Sequence, residues 1–276
     1  MKLDLNAAWD HAVRLIMANR EVMLVLAGVF FFLPYVLFLL LVPMPEFAAM
    51  AGSGGETNPA LLAAMNGFLA EYWWAILLLA LVQTVGGIAV MAVVGDPARP
   101  TVQAAMRRGA AFLLPGVGAQ LLTSLATTLV LFIAIFLGAL TGSQAMAGTA
   151  AVFALPVIVW VMTRLSLSGA TIAIEQVANP VAALRRSWRL TRGSGFRLVV
   201  FYVLLFAAMF VVAQVLGLVV GLVAALPSME VAAVVEALLS SAIYAVMIVV
   251  AYAVLASVHR QFARSERVSV PQTHEV

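Results

Sequence analysis

Cysteine is absent from this 276-residue sequence, and charged residues make up only 10% of it. The lack of cysteine excludes disulfide bonds, thiolate metal sites and cysteine nucleophiles. Lysine occurs once, as Lys2, so no phosphate-binding loop of the GxxxxGK type can be drawn. The three histidines, His11, His259 and His274, are far apart in sequence and predict no zinc site. A soluble domain carries about 25% charged residues, so the composition excludes soluble, disordered and nucleic-acid-binding proteins.

Hydrophobic residues supply 64% of the chain, and the mean hydropathy is +1.10. A helix that crosses the hydrocarbon of a bilayer needs about 20 apolar residues, and six runs satisfy this requirement. They are residues 22–42, 72–94, 112–140, 149–174, 198–226 and 237–258. Continuous runs of this length favour helices over the alternating strands of a barrel. The sequence therefore predicts an all-α, polytopic membrane bundle of six helices in a single domain, residues 1–276.

Basic residues are sorted to alternate loops. Lysine and arginine occur in residues 1–21, 95–111 and 175–197 and in the polar tail 259–276, whereas the loops 43–71, 141–148 and 227–236 contain none. Basic loops stay on the cytoplasmic side, so both termini are expected in the cytoplasm of a bacterial cell with an inner membrane. The first apolar run exceeds the 7–15 residues of a signal peptide, which argues against its cleavage.

Three cytoplasmic segments resemble short amphipathic helices that lie in the membrane interface, at residues 5–18, 100–109 and 180–192. In the third, Asn179 suits the N-cap, Pro180 the first helical position and Gly193 the position after the end. Each of the three segments precedes a membrane hairpin. This pattern predicts a unit of one interfacial helix and one hairpin, repeated three times. The alternative is that any helix entering a membrane from the basic side is amphipathic in this way.

A polar stripe in span 4 is the first candidate site. Arg164, Ser168, Thr171 and Glu175 recur at helical spacing, which places them on one face of a continuous helix. A charge inside a membrane is costly, so such residues often have functions. The stripe is interpreted either as a polar cleft for a lipid head group or solute, or as an arginine that extends to the inner surface or joins two helices.

Two further sets of residues are candidates. Arg185, Arg186, Arg189 and Arg192 could engage anionic lipid, although the same charges also serve to fix topology. Ala213, Gly217, Gly221 and Ala225 form a seam of small residues in span 5 that permits close helix contact. Packing within the chain is the preferred interpretation of this seam, and a homo-oligomer or a membrane protein partner is the alternative.

The segment from Glu175 to Gly193 resembles an element of a bacterial family, the membrane domain associated with glycerophosphoryl diester phosphodiesterases, with its small relatives. The positions that carry the resemblance are Glu175, Pro180, Ala183, Leu184, Ser187, Trp188, Leu190, Thr191 and Gly193. The phosphodiesterase barrel of some members needs about 250 residues and metal ligands that this sequence lacks. The resemblance therefore implies no phosphodiesterase activity, but a membrane protein concerned with lipids or the cell envelope.

The leading functional hypothesis is non-enzymatic: a membrane protein that contacts or organises lipid, or supports a membrane partner. The alternative is a transporter that moves a small or amphipathic solute along the polar face of span 4. A membrane enzyme is disfavoured because the sequence offers no set of acid, base, nucleophile and metal ligands. No cofactor, metal or nucleic acid is expected.

Overall fold

The computed structural model of the chain describes residues 5–43, 59–96, 100–224 and 229–269. Within these ranges the regular structure is entirely helical, as the sequence predicts. In chain order the helices are α1 (Leu5–Ala18), α2 (Arg20–Leu41), α3 (Pro59–Gly95), α4 (Val102–Ala111), α5 (Leu113–Ala139), α6 (Gln144–Leu165), α7 (Ser168–Glu175), α8 (Pro180–Leu190), α9 (Gly195–Ala224) and α10 (Met229–Ser269). Helix α2 contains one π-helical turn, Gly28–Phe32.

Six stretches of helix in the described ranges are long and apolar enough to cross a membrane. They are α2, most of α3, α5, α6 continued by α7, α9 and most of α10. Their number and order agree with the predicted crossings. The chain thus has the helix lengths and hydropathy of a multi-pass membrane protein.

Several helices extend beyond the apolar runs from which the spans are predicted. Part of the predicted loop 43–71 is helical, because α3 begins at Pro59, and α10 begins at Met229, inside the predicted loop 227–236. At its other end α10 continues through the predicted polar tail to Ser269. The prediction began the second and sixth spans directly after a glutamate, Glu71 or Glu236. A charged residue does not end a helix, however, so helices continue past the apolar run.

Helix α3 lies at the centre of the bundle, and two adjacent glycines allow its neighbours to approach closely. A Cβ on Gly86 would lie 2.9 Å from the ring of Phe31 in α2, and one on Gly87 would lie 2.7 Å from the ring of Tyr252 in α10. Any larger side chain would displace these rings. The two glycines therefore set how closely α2 and α10, which also meet each other at Phe31 and Tyr252, pack on α3.

The tightest packing is at one end of the bundle, where α1, α4, α7, α8 and the C-terminal part of α10 meet; we call it the basic end. The α3 residues from Ile88 to Val94 are all at most 4% exposed there, against α7 and α10. Helix α1 packs on α10, so both described ends of the chain lie at the basic end. This arrangement fits an even number of crossings.

The remaining spans are peripheral. Helix α5, the fourth span and α9 each bury only 6% of their most apolar stretch within the chain, whereas α3 buries 50%. Helices α1, α4 and α8 each precede a pair of spans, as the repeat hypothesis predicts. A common origin for the three units remains a prediction.

Candidate functional site

Helix α8 begins and ends as its sequence predicts. The Asn179 side chain accepts hydrogen bonds from the backbone N–H groups of Val181, at 2.9 Å, and Ala182, at 3.2 Å. Pro180 occupies the first helical position, where a missing N–H costs nothing. Gly193 follows the helix with a φ of +85°, in the left-handed region that glycine adopts without strain. These local signals specify where α8 begins and ends.

The two faces of α8 have different surroundings. Ala183, Ser187 and Leu190 are buried against the spans, while Arg185 and Arg189 are exposed. An interfacial amphipathic helix has this division between one packed face and one charged face. The exposed arginines are therefore available to groups outside the chain.

Ser187 joins α8 to an interruption in the fourth span. Its hydroxyl donates to the carbonyl oxygen of Arg164 at 2.7 Å and accepts from the N–H of Leu167 at 3.2 Å. The interruption at Ser166 and Leu167 separates α6 from α7 and leaves these two backbone groups without helical partners. Ser187 is fully buried, so it replaces bonds that water could not supply. The sequence does not predict this role of Ser187; the one signal that it offers is a serine on the packed face of α8.

The Arg164 guanidinium lies beside two indole rings. Its central carbon is 4.9 Å from the ring centroid of Trp160 and 5.3 Å from that of Trp188, which meet edge to face. Its Nη1 donates to the Thr191 hydroxyl at 3.4 Å, whereas its buried Nε has no acceptor in the part of the chain that the structure describes. Gly195, at the start of α9, allows close approach, since a Cβ there would lie 3.1 Å from Nε. Arg164 thus sits where α6, α8 and α9 meet.

The predicted stripe is divided by the interruption in the fourth span. Arg164 is in α6, whereas Ser168, Thr171 and Glu175 are in α7. Thr171 is fully buried and donates to the carbonyl oxygen of Leu167 at 3.0 Å, and Ser168 is 8% exposed. In the part of the chain that the structure describes, no hydrogen bond or ion pair links Arg164 to the other three. The structure therefore separates Arg164 from the rest of the stripe.

Glu175 belongs instead to an ionic network that joins α7, α8 and α10. Its carboxylate accepts from Nε of Arg186 at 3.1 and 3.2 Å, and it lies 3.2 Å from Nε2 of His259. Arg186 also pairs with Glu266. Burial lowers the pKa of Arg186, but these two carboxylates raise it by more, so it remains charged. His259 was placed in a polar tail by the sequence, yet it is 1% exposed.

An open groove of about 550 Å³ runs along the outer side of α8. Its lining combines two cations, an indole ring, an amide and apolar groups: Asn179, Val181, Ala182, Arg185, Trp188 and Arg189. Arg192 is exposed beyond the groove. Of the four arginines that the sequence grouped together, Arg185 and Arg189 thus share a groove, Arg186 is paired, and Arg192 stands apart.

The small-residue seam of α9 faces outward. A Cβ on Gly217 or Gly221 would meet no atom of the described residues within 4 Å, and both glycines lie in an open groove of about 640 Å³ together with Gln214. Ala213 is partly buried, and Ala225 lies outside the described residues. The seam is interpreted from the sequence as a site of packing within the chain, but none of the described residues packs against Gly217 or Gly221. Contact with a second copy or another membrane protein remains a prediction.

Metal ligands are not clustered in the described parts of the chain: no three histidine, aspartate or glutamate side chains there could hold an ion together. No family model matches the sequence, and comparisons with curated proteins and with solved structures find no match either. The site is therefore interpreted from its own geometry.

Proposed function

We propose that this chain is a bacterial inner-membrane protein that acts without catalysis by contacting anionic lipid at its cytoplasmic face, with both termini in the cytoplasm. The basic end of the bundle is then the cytoplasmic end, in keeping with the sorting of arginine in the sequence. Helix α8 lies in the interface and presents its outer side to the head groups of the cytoplasmic leaflet. The core of the bundle anchors α8 from the other side.

The α8 groove is the observation that carries this proposal. Arg185 and Arg189 supply positive charge, Trp188 suits the depth of the head groups, and Val181 and Ala182 supply apolar surface. A molecule with an anionic head and an acyl chain matches this combination. In the described ranges, neither Arg185 nor Arg189 has an ion pair within the chain, so neither charge is already neutralised.

The arginines provide a matched test. The full chain is purified in detergent, and its affinities for phosphatidylglycerol and phosphatidylcholine are compared by native mass spectrometry. Each basic residue near an anionic surface contributes about 1 kcal/mol, so R185Q/R189Q should reduce the preference for phosphatidylglycerol roughly thirty-fold. The control R192Q/R197Q removes two exposed arginines outside the groove and should reduce it much less. Equal losses in both double variants would show that the groove has no special part in lipid binding.

Passage of a small or amphipathic solute along the fourth span is the second candidate. The interruption at Ser166 and Leu167 favours it, because transporters often bind substrates at broken membrane helices. Ser187 argues against transport, because its hydroxyl already bonds the backbone groups of the interruption that a substrate would otherwise bind. Since the chain has no native cysteine, Ser168→Cys tests the point: the lipid-contact proposal expects it to resist a water-soluble maleimide, and a water-filled path expects rapid labelling.

Membership of the phosphodiesterase-associated membrane family remains part of this proposal. Two residues of the Glu175–Gly193 motif join α8 to the fourth span, which supports a structural role for the motif. Ser187 bonds the interruption in that span, and Thr191 accepts a hydrogen bond from Arg164. These contacts concern folding, and no phosphodiesterase activity is proposed.

A further inference from the structure

Arg164 carries a charge that the described part of the protein does not neutralise. No carboxylate in those ranges lies within ion-pair distance of its guanidinium, in contrast to Arg186, which has two. Its neighbours are the faces of Trp160 and Trp188 and one hydroxyl, that of Thr191. Cation–π contacts stabilise the charge without neutralising it.

The guanidinium is also short of hydrogen-bond acceptors. Arginine has five N–H donors, and in the described structure Arg164 makes a single hydrogen bond, at 3.4 Å. The indole N–H groups of Trp160 and Trp188 likewise make no hydrogen bond within the described ranges. The junction of α6, α8 and α9 therefore combines several unused donors with one positive charge. This is the chemistry of a site that binds an anion with several oxygen atoms.

The location narrows the choice of anion. Arg164 lies beside the first residue of α9, Gly195, and its side chain bonds Thr191 directly after α8, so it lies near the level where the fifth span begins. Trp160 is 39% and Trp188 37% exposed, so the junction opens to the surface of the bundle. Tryptophan at such a position marks the membrane interface, which is also the depth of phospholipid phosphates.

We infer that Arg164 binds the phosphate of one phospholipid, lodged where α6, α8 and α9 meet. The inference rests on the proposed lipid contact but names a different site and a different selectivity. The α8 groove selects the net charge of the head group. Arg164 recognises the phosphodiester, which zwitterionic and anionic phospholipids share. Trp160 and Trp188 hold the guanidinium in place and border the lipid.

The test uses the full chain in detergent and measures its dissociation constant for a short-chain phosphatidylcholine. A diacylglycerol of equal chain length, which lacks phosphate, and inorganic phosphate, which lacks the acyl chains, are the comparison ligands. The wild-type protein should bind the phospholipid and show at least tenfold weaker binding of either comparison ligand. Equal binding of diacylglycerol would overturn the phosphate contact, and equal binding of inorganic phosphate would overturn its assignment to a lipid.

Variants of Arg164 complete the test. A hydrogen-bonded charge pair typically contributes enough for R164Q to weaken phosphatidylcholine binding roughly ten- to hundred-fold. R164K keeps the charge but loses the planar fork of donors, so it should bind several-fold more weakly than wild type, and it serves if R164Q does not fold. R107Q, an exposed arginine in α4 away from the junction, should bind as wild type does. Unchanged affinity in R164K and R164Q would overturn the inference.

The outcomes separate this inference from the proposed function. R185Q/R189Q should lose the preference for phosphatidylglycerol and keep its affinity for phosphatidylcholine. R164Q should lose affinity for both lipids and keep the ratio between them. If R185Q/R189Q behaves as wild type while R164Q loses binding, the groove proposal fails and the Arg164 site stands. If R164Q behaves as wild type while R185Q/R189Q loses the preference for phosphatidylglycerol, the Arg164 site fails and the groove proposal stands.

Discussion

Replacing Ser187 with alanine tests how α8 is joined to the bundle. The hydroxyl is fully buried and bonds both backbone groups of the interrupted fourth span, the carbonyl oxygen of Arg164 and the N–H of Leu167. Alanine fits the same space and keeps the helix propensity of α8. The substitution therefore removes the two hydrogen bonds and changes little else.

The expected cost follows from what the substitution leaves behind. A buried N–H without an acceptor costs about 1–3 kcal/mol, and Leu167 is fully buried. Measured hydrogen bonds between membrane helices average nearer 0.6 kcal/mol, because the unfolded chain also finds partners. With both backbone groups left unpaired, we expect S187A to lower the free energy of unfolding by about 1–3 kcal/mol.

Reversible unfolding in mixed micelles would measure this cost. Ser257 supplies a matched control, since it is also fully buried but its hydroxyl has no hydrogen-bond partner among the described residues. S257A removes an unsatisfied polar group and should be neutral or slightly stabilising. If S187A and S257A had the same stability, the bridge at the interruption would contribute nothing and the account of α8 given above would be refuted.

Two further predictions concern other parts of the bundle. Gly87→Ala should destabilise the protein by about 1–3 kcal/mol, because its Cβ would lie 2.7 Å from the ring of Tyr252. The control Gly67→Ala, in open space on the same helix, should not destabilise it. Equal effects of the two substitutions would contradict the close packing of α10 on α3. Burial, followed by the charges of nearby arginines in α1 and α10, lowers the pKa of His11 from 6.5 in the folded protein. As the pH decreases, His11 is therefore protonated in the unfolded chain at a higher pH than in the folded protein. Stability should be complete above about pH 6.5 and fall as the pH decreases below it, and unfolding measured against pH should show a smaller fall for His11→Gln.

The sequence predicts most of the fold because hydropathy and loop charge are local properties. Six crossings and the ends of α8 follow from runs of apolar residues and from Asn179, Pro180 and Gly193, each of which acts on its immediate neighbours. The interruption of the fourth span could not be predicted in this way. The backbone groups that it frees are hydrogen-bonded by Ser187, which lies 23 residues from Arg164 along the chain. A periodic pattern contains no signal for a partner on a distant helix.

Arg185 and Arg186 show why the site resists prediction. They are the same residue at adjacent positions, and any count of basic residues treats them alike. A step of about 100° around α8 turns Arg186 toward Glu175 and Glu266, whereas Arg185 faces the open groove. The partner Glu266 belongs to α10, in a stretch that the sequence assigned to a polar tail. Which arginine is structural and which can bind a ligand is therefore decided by the packing of α10 on α8. Charge composition can predict a basic face, but only tertiary contacts distinguish the paired arginine from those proposed to bind lipid.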